Sequence, residues 1–173
     1  DEVTSGFRMN LGGIHLLRSI YPDIAVFGKA LGNGYPISAI IGKRAVMECA
    51  QSSFISSTFW TERVGFAAAL ATIAKMEKYD VQKQLIHYGN LINNGWIGLS
   101  KKHGVDIHIS GIPPLTHITF KADEPLAVQT LYTQEMLERG FLLGAAVYTT
   151  YAYSNEIIDK FFEQSDPVFE KIK

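Results

Sequence analysis

The stretch PDIAVFGKALGNGYP, residues 22–36, decides how the rest of the chain is read. Ile24 to Phe27 is a short apolar run with the pattern of a strand buried on both faces, and Gly28 stops it. Lys29 stands directly after the stop, and Gly32, Gly34 and Pro36 mark the loop that follows. A lysine at the end of such a strand has its stem held and its amine aimed at one place. Partial desolvation there favours the neutral, nucleophilic amine, which forms a Schiff base with a carbonyl. Taken alone, Gly28-Lys29 is equally a surface lysine in a turn, and GKALGNG lacks the spacing of a phosphate-binding P-loop.

Two further stretches weigh on that choice. The chain opens with DEVTSGFR, in which Asp1, Glu2 and Val3 have the character of a strand end. Residues 54–60, FISSTFW, cluster Ser56, Ser57 and Thr58 ahead of an alanine-rich helix. Lys29 lies 28 residues after Asp1 and 29 before Thr58. In order and separation, DEVTSGFR, PDIAVFGKALGNGYPISAIIGKR and SSTFW resemble the class III aminotransferases, pyridoxal-phosphate enzymes of fold type I. The likeness is close over residues 1 to about 80 and follows element order alone beyond that.

The resemblance implies an α/β architecture. Residues 1–95 would form the C-terminal half of a cofactor-binding large domain with a mixed, mostly parallel sheet, and residues 96–173 a small α+β domain. It makes Lys29 the Schiff-base residue and the proton shuttle, with pyridoxal 5'-phosphate as cofactor. Asp1 would pair with the pyridine nitrogen, keeping the ring protonated so that it accepts electrons. Val3, on the same side of the strand as Asp1, would lie against a face of the ring. Thr58 would hold the phosphate, through its hydroxyl and its N–H, near the positive end of the following helix. It would reach the cofactor of a second subunit, so a homodimer with a shared active site is expected. On its residues alone Thr58 is also a candidate helix cap, although Thr61, before Glu62 and Arg63, suits that place better. Glu2 reads as a solvent-facing or structural acid.

Bulk properties agree with a globular domain. The chain has 173 residues, 47% hydrophobic and 19% charged, enough for one domain or two small ones. A net charge of −1 and the lack of a basic run give no nucleic-acid signal. The single cysteine, Cys49, excludes an internal disulfide and fits a reducing, cytoplasmic setting; within AVMECA it reads as a buried thiol. No apolar run reaches transmembrane length, and none of the five histidines falls into a zinc pattern. His15 reads as half-buried. Arg8 either orders the loop near the cofactor or makes a surface salt bridge. The chain begins on the acid that the resemblance makes functional, so it reads as the C-terminal part of a larger enzyme, inactive alone.

Further along, ISAIIGKR (37–44) reads as a second buried strand and AVMECA as a helix. Val64 to Tyr79 is an amphipathic helix and Val81 to His103 a longer one, with a bend or break expected at Asn93, Asn94 and Gly95. Residues 106–120 read as two antiparallel strands broken at 111–114, residues 125–139 as a helix closed by Gly140, and FLLGAAVY (141–148) as a third strand. A last helix starts at Asn155 with Ser154 as cap.

The expected reaction is transamination between a small-molecule amino donor and a carbonyl acceptor. Glutamate-1-semialdehyde aminomutase chemistry is the alternative, and an inactive dimerisation or scaffold module is the non-enzymatic one. Residues 140–153 carry no acid of the kind the aminomutase uses, and Arg139 is the one arginine after residue 104, so the substrate stays open. Tyr148, Tyr151 and Tyr153 suit pocket lining and packing equally, and bulky Trp60 replaces the small residues many relatives have.

Overall fold

The computed structural model describes residues 1–173. It divides into two compact units, Asp1–Lys83 and Gln84–Lys173. The division falls in the first turn of a helix that also contains the 95/96 step expected from the sequence.

The first unit is built on a strand pair. β1 (Ile24–Phe27) runs antiparallel to β2 (Ala39–Gly42), with Ile24 opposite Gly42 and Phe27 opposite Ala39. The two strands are antiparallel, which a mixed sheet allows, because residues 28–38 reverse the chain directly between them. α1 (Arg44–Met47) continues into a 3-10 helix, Glu48–Ser52, and α2 spans Val64–Tyr79. Asp80, in the left-handed region at φ 52°, ends α2, and α3 (Val81–His103) begins at the next residue.

The core of this unit is small: Ala25, Phe27, Leu31 and Ala69, with Phe7, Ile37, Ala39 and Ile73 packed on it. Burial along β1 alternates, covering Ala25 and Phe27 but exposing Ile24. On β2, Ile40 and Ile41 are 59% and 55% exposed. The expectation of strands buried on both faces is therefore corrected: Ala25 and Phe27 of β1 pack with Ala69 of α2, whereas Ile40 and Ile41, on opposite faces of β2, are both exposed. α2 is less one-sided than expected as well. Gly65, Ala69 and Met76 make a narrow buried stripe, while Phe66 and Leu70 are exposed. Cys49 is exposed rather than buried, since neither α1 nor the 3-10 helix after it buries any residue.

The second unit packs α3, α4 (Pro125–Glu138) and α5 (Asn155–Ile172) with a three-stranded antiparallel sheet in the order β3 (Ile107–Ile112), β4 (Leu115–Phe120), β5 (Ala146–Tyr148). β3 runs through Gly111 and turns only at Pro113 and Pro114, a tighter hairpin than expected. Gly111 is required there: φ is 92°, and a Cβ would lie 2.3 Å from the carbonyl oxygen of Leu115. Of the expected third strand, residues 141–148, only Ala146–Tyr148 pairs. Gly140 closes α4 at φ 87°, and the Ser154 hydroxyl caps α5 by accepting from the Ile157 N–H at 3.3 Å, both as expected.

α3 is continuous through Asn93, Asn94 and Gly95. The expected break does not form because these residues serve packing. A Cβ on Gly95 would lie 2.2 Å from the Phe162 ring, and the Asn93 amide oxygen accepts from the Thr116 hydroxyl. Around α3 lies a core that includes Trp96, Ile118, Phe120, Tyr132, Met136, Val168 and Phe169. Burying each such side chain is worth about 1.5–3 kcal/mol. Within it the Trp96 Nε1–H donates to the Tyr132 hydroxyl at 3.2 Å. Tyr132 in turn donates to Ser165 at 3.0 Å, and Ser165 to the Met136 sulfur at 3.4 Å. Every polar atom of that buried relay is satisfied.

Candidate functional site

β1 delivers its last residue, Phe27, into the core, and Gly28 carries the chain out in extended conformation. A Cβ on Gly28 would meet the Val3 side chain at 3.4 Å, which places Val3 against the end of the strand. The Glu2 N–H donates to the Val26 carbonyl at 2.8 Å, so residues 1–4 are pinned alongside β1 by that bond. The expected strand at Asp1–Val3 is no more than this single bond, because the chain enters a turn at Val3. Gly6 makes that turn possible: a Cβ would lie 2.7 Å from both the Glu2 carbonyl oxygen and the Phe27 ring.

Lys29 opens a 3-10 turn, Lys29–Leu31, with φ 44°. A non-glycine residue in this region costs energy and is held there by its surroundings. Here the Lys29 carbonyl accepts from the N–H groups of Gly32 at 3.2 Å and Asn33 at 3.0 Å. The Lys29 Nζ donates to the Thr4 hydroxyl at 2.6 Å. Lys29 is exposed, so the expected desolvation of the amine is not what this chain provides. The Arg8 Nε donates to the Thr4 carbonyl at 2.6 Å, so Arg8 orders the loop. Asp1, also exposed, accepts the Val3 N–H on Oδ1 at 2.7 Å. Asp1, Val3 and Lys29 thus belong to one locality at the end of β1.

Glu2 is buried behind them. One of its oxygens accepts both the His15 Nδ1 at 2.8 Å and the His15 N–H at 3.0 Å, and the other accepts from Ser5. Burial pushes this carboxyl up, but the hydrogen bonds from Ser5 and from the His15 backbone and ring outweigh it and hold it below the usual range. Of the two readings of Glu2 the structural one applies. Its partner was not visible in the sequence, since no periodicity joins residues 13 apart. His15 is half-buried, as expected.

Thr58 is exposed in a turn over residues 58–61 and is tied to none of these groups. The cap of α2 is not Thr61. Glu62 does that work, accepting the Val64 N–H at 2.9 Å and the Gly65 N–H at 3.1 Å, and those bonds lower its carboxyl. A longer acidic side chain reaches past the helix start, which a hydroxyl at 61 does not. The positive end of α2, offered from the sequence to a phosphate at Thr58, is therefore already engaged by Glu62.

In the second unit Tyr148 and Tyr153 line an apolar cavity of about 210 Å³ with Ile92, Phe141, Leu143 and Phe161. Burial raises the Tyr153 hydroxyl. No group of three His, Cys, Asp or Glu side chains is arranged to hold a metal. No helix is long and apolar enough to cross a membrane.

A family profile described as aminotransferase class-III matches residues 1–164, and the chain belongs to that family. It is 36% identical over 135 residues to the 3-aminobutyryl-CoA aminotransferase of Cloacimonas acidaminovorans (strain Evry), covering 78% of this chain and 33% of that protein. It is 31% identical over 167 residues to the 2'-deamino-2'-hydroxyneamine transaminase of Streptomyces kanamyceticus, covering 93% of this chain and 42% of that protein. A glutamate-1-semialdehyde 2,1-aminomutase from Methanosphaera stadtmanae (strain ATCC 43021 / DSM 3091 / JCM 11832 / MCB-3) is 29% identical over 177 residues, covering 92% of this chain and 42% of that protein. The fold matches the pyridoxal-phosphate internal aldimine form of the Sphingopyxis sp. MTA144 FumI protein, with TM-score 0.93 and 26% identity, over 99% of this chain and 42% of that one. The fold is thus that of the fold type I pyridoxal-phosphate transaminases, and pyridoxal phosphate is the family's cofactor. The chain spans between a third and about two fifths of the length of these relatives.

Proposed function

We propose that this chain supplies the lysine-bearing part of a pyridoxal-phosphate transaminase, with Lys29 as the residue that carries the cofactor. The observation that supports this reading is the position of the Lys29 amine, held at the end of β1 beside residues 1–4. The donor set fits the group. Asp1 offers a carboxylate to a ring nitrogen, Lys29 an amine to an aldehyde, and Val3, fixed against Gly28, an apolar surface to a ring face. Thr58, which lies in a separate exposed turn, would offer its hydroxyl to the phosphate of a second subunit's cofactor.

When bound, the cofactor supplies an electron sink for the carbon that loses its proton. The chain's residues do the rest. Lys29 would hold the cofactor through its amine, and the same amine, when free, would carry the proton taken from the substrate carbon. Asp1 would hold a proton on the ring nitrogen, and Val3 would offer its apolar side chain to a ring face.

Transamination is preferred to the aminomutase reaction because residues 140–153 contain no acid and the Cloacimonas and Streptomyces relatives, at 36% and 31% identity, are aminotransferases. The aminomutase reading rests on the Methanosphaera relative, and a requirement for an external amino acceptor separates the two. A homodimer is part of the proposal. Its support is that Ile40, Ile41, Phe54, Trp60, Phe66 and Leu70 are exposed apolar side chains that a second subunit, or the rest of a longer chain, would cover. The test is absorbance of the intact protein loaded with pyridoxal phosphate. A near-visible band that disappears in Lys29→Ala supports the reading, and a band unchanged in that variant rejects it.

A further inference from the structure

The amine of Lys29 rests on a built partner. Thr4 is fixed from both sides: the Glu2 N–H bonds to Val26 before it, the Gly6 N–H bonds back to the Glu2 carbonyl after it, and Arg8 grips its own carbonyl. Lys29 is fixed at its base by the two bonds to its carbonyl. The 2.6 Å contact between Nζ and the Thr4 Oγ1 therefore joins two residues whose backbones are independently held.

We propose that Thr4 is a positioning residue for the Lys29 amine: its hydroxyl is the seat the amine occupies whenever it is not covalently engaged. This rests on the reading of Lys29 as the cofactor-bearing lysine. A hydroxyl suits the task because it both accepts and donates. It accepts from the charged ammonium and donates to the neutral amine, so the amine gains and loses a proton without leaving its place. A carboxylate in the same position would favour the charged form alone. Without the seat the flexible lysine stem samples many rotamers and presents its nitrogen in many directions.

The test uses the intact protein freed of cofactor, with Thr4→Val, Thr4→Ala and Thr4→Ser. Acylation of Lys29 by a small reagent is followed by peptide mass spectrometry, with Lys43 and Lys83 as internal references. Loss of the hydroxyl in the Val and Ala variants is expected to raise the Lys29 rate about tenfold, the factor a charge-assisted hydrogen bond carries. The Ser variant is expected to match the parent, and the reference lysines not to move. In the same variants the growth of the absorbance band on adding pyridoxal phosphate slows for Val and Ala and not for Ser. Lys29 rates within twofold of the parent in both Val and Ala overturn the proposal, as does a Ser variant that behaves like Val. If Val fails to fold, the Ala and Ser pair decides. Borohydride reduction of the loaded parent, followed by peptide mapping, is read separately. A tag on a lysine other than Lys29 rejects the cofactor reading itself, whatever the acylation rates are.

Discussion

His15 gives its ring Nδ1 and its backbone N–H to one oxygen of Glu2, at 2.8 and 3.0 Å. The pair ties the loop at residues 6–20 to the segment pinned along β1. Truncation in Glu2→Ala leaves those donors without their acceptor, a change that costs about 1–3 kcal/mol. The Glu2 carboxyl is held below its ordinary range in the folded chain. Its contribution is therefore present above the unfolded value near 4.5 and is lost as pH falls through the folded value. Urea unfolding at pH 7 and at successively lower pH should show the parent converging on Glu2→Gln in acid. A constant gap between the two would reject this.

Tyr132 sets the alkaline limit of the second unit. Burial pushes its hydroxyl up to about 12, against the opposing effect of its hydrogen bonds with Ser165 and Trp96. A folded value raised above the ordinary 10 means stability is intact below pH 10 and declines from there to about 12. Tyr132→Phe should flatten that decline while costing about 1–3 kcal/mol at neutral pH, because the Trp96 N–H loses its acceptor. Denaturant melts at pH 7 and across the alkaline range measure both effects.

Glycines on α3 divide sharply by what faces them. A Cβ at Gly89 would sit 1.9 Å from the Pro113 carbonyl oxygen, a backbone atom that cannot swing aside, whereas at Gly98 it would meet nothing within 4 Å. Gly89→Ala should therefore destabilise by about 3 kcal/mol or more. Gly98→Ala should stabilise by up to about 1 kcal/mol through helix propensity. Thermal melts of the two variants decide, and equal shifts would show that the hairpin at Pro113 yields.

Asp166 on α5 bonds to Lys102 at 2.6 and 2.8 Å and to His103 at 2.7 Å on α3. The bonds from His103 and then Lys102 lower its carboxyl. Its stabilising effect is present above the ordinary carboxylate range and is lost as pH falls through the lowered value. Asp166→Asn should lower the melting temperature at neutral pH. The difference should shrink in about 1 M salt, where screening acts within about 3 Å. A salt-independent difference would point to the exposed Lys102 arm contributing nothing.

Strand β1 was legible because its apolar run stops at Gly28, and the helix from Val64 because its apolar residues recur at helical spacing. That Asp1, Val3 and Lys29 lie in one locality was an expectation carried by the resemblance to the class III aminotransferases. Exposure was not legible. An apolar run such as Ile40–Ile41 looks the same whether or not this chain covers it, and Cys49 shares that ambiguity. Contacts between distant side chains were equally hidden. Glu2 with His15, Glu62 on the α2 N–H groups and Thr4 under the Lys29 amine depend on how the backbone turns, and no residue pattern records that. The dipeptide Asn93-Asn94 before Gly95 misled because the helix takes its continuity from Phe162 and Thr116 across the unit.

The two tryptophans sit in opposite surroundings, one in each unit: Trp60 is 60% exposed and Trp96 fully enclosed. Their fluorescence should separate, with a long-wavelength, readily quenched component from Trp60 and a short-wavelength, protected one from Trp96. A single emission spectrum followed through denaturation would then report which of the two units melts first, with no label attached.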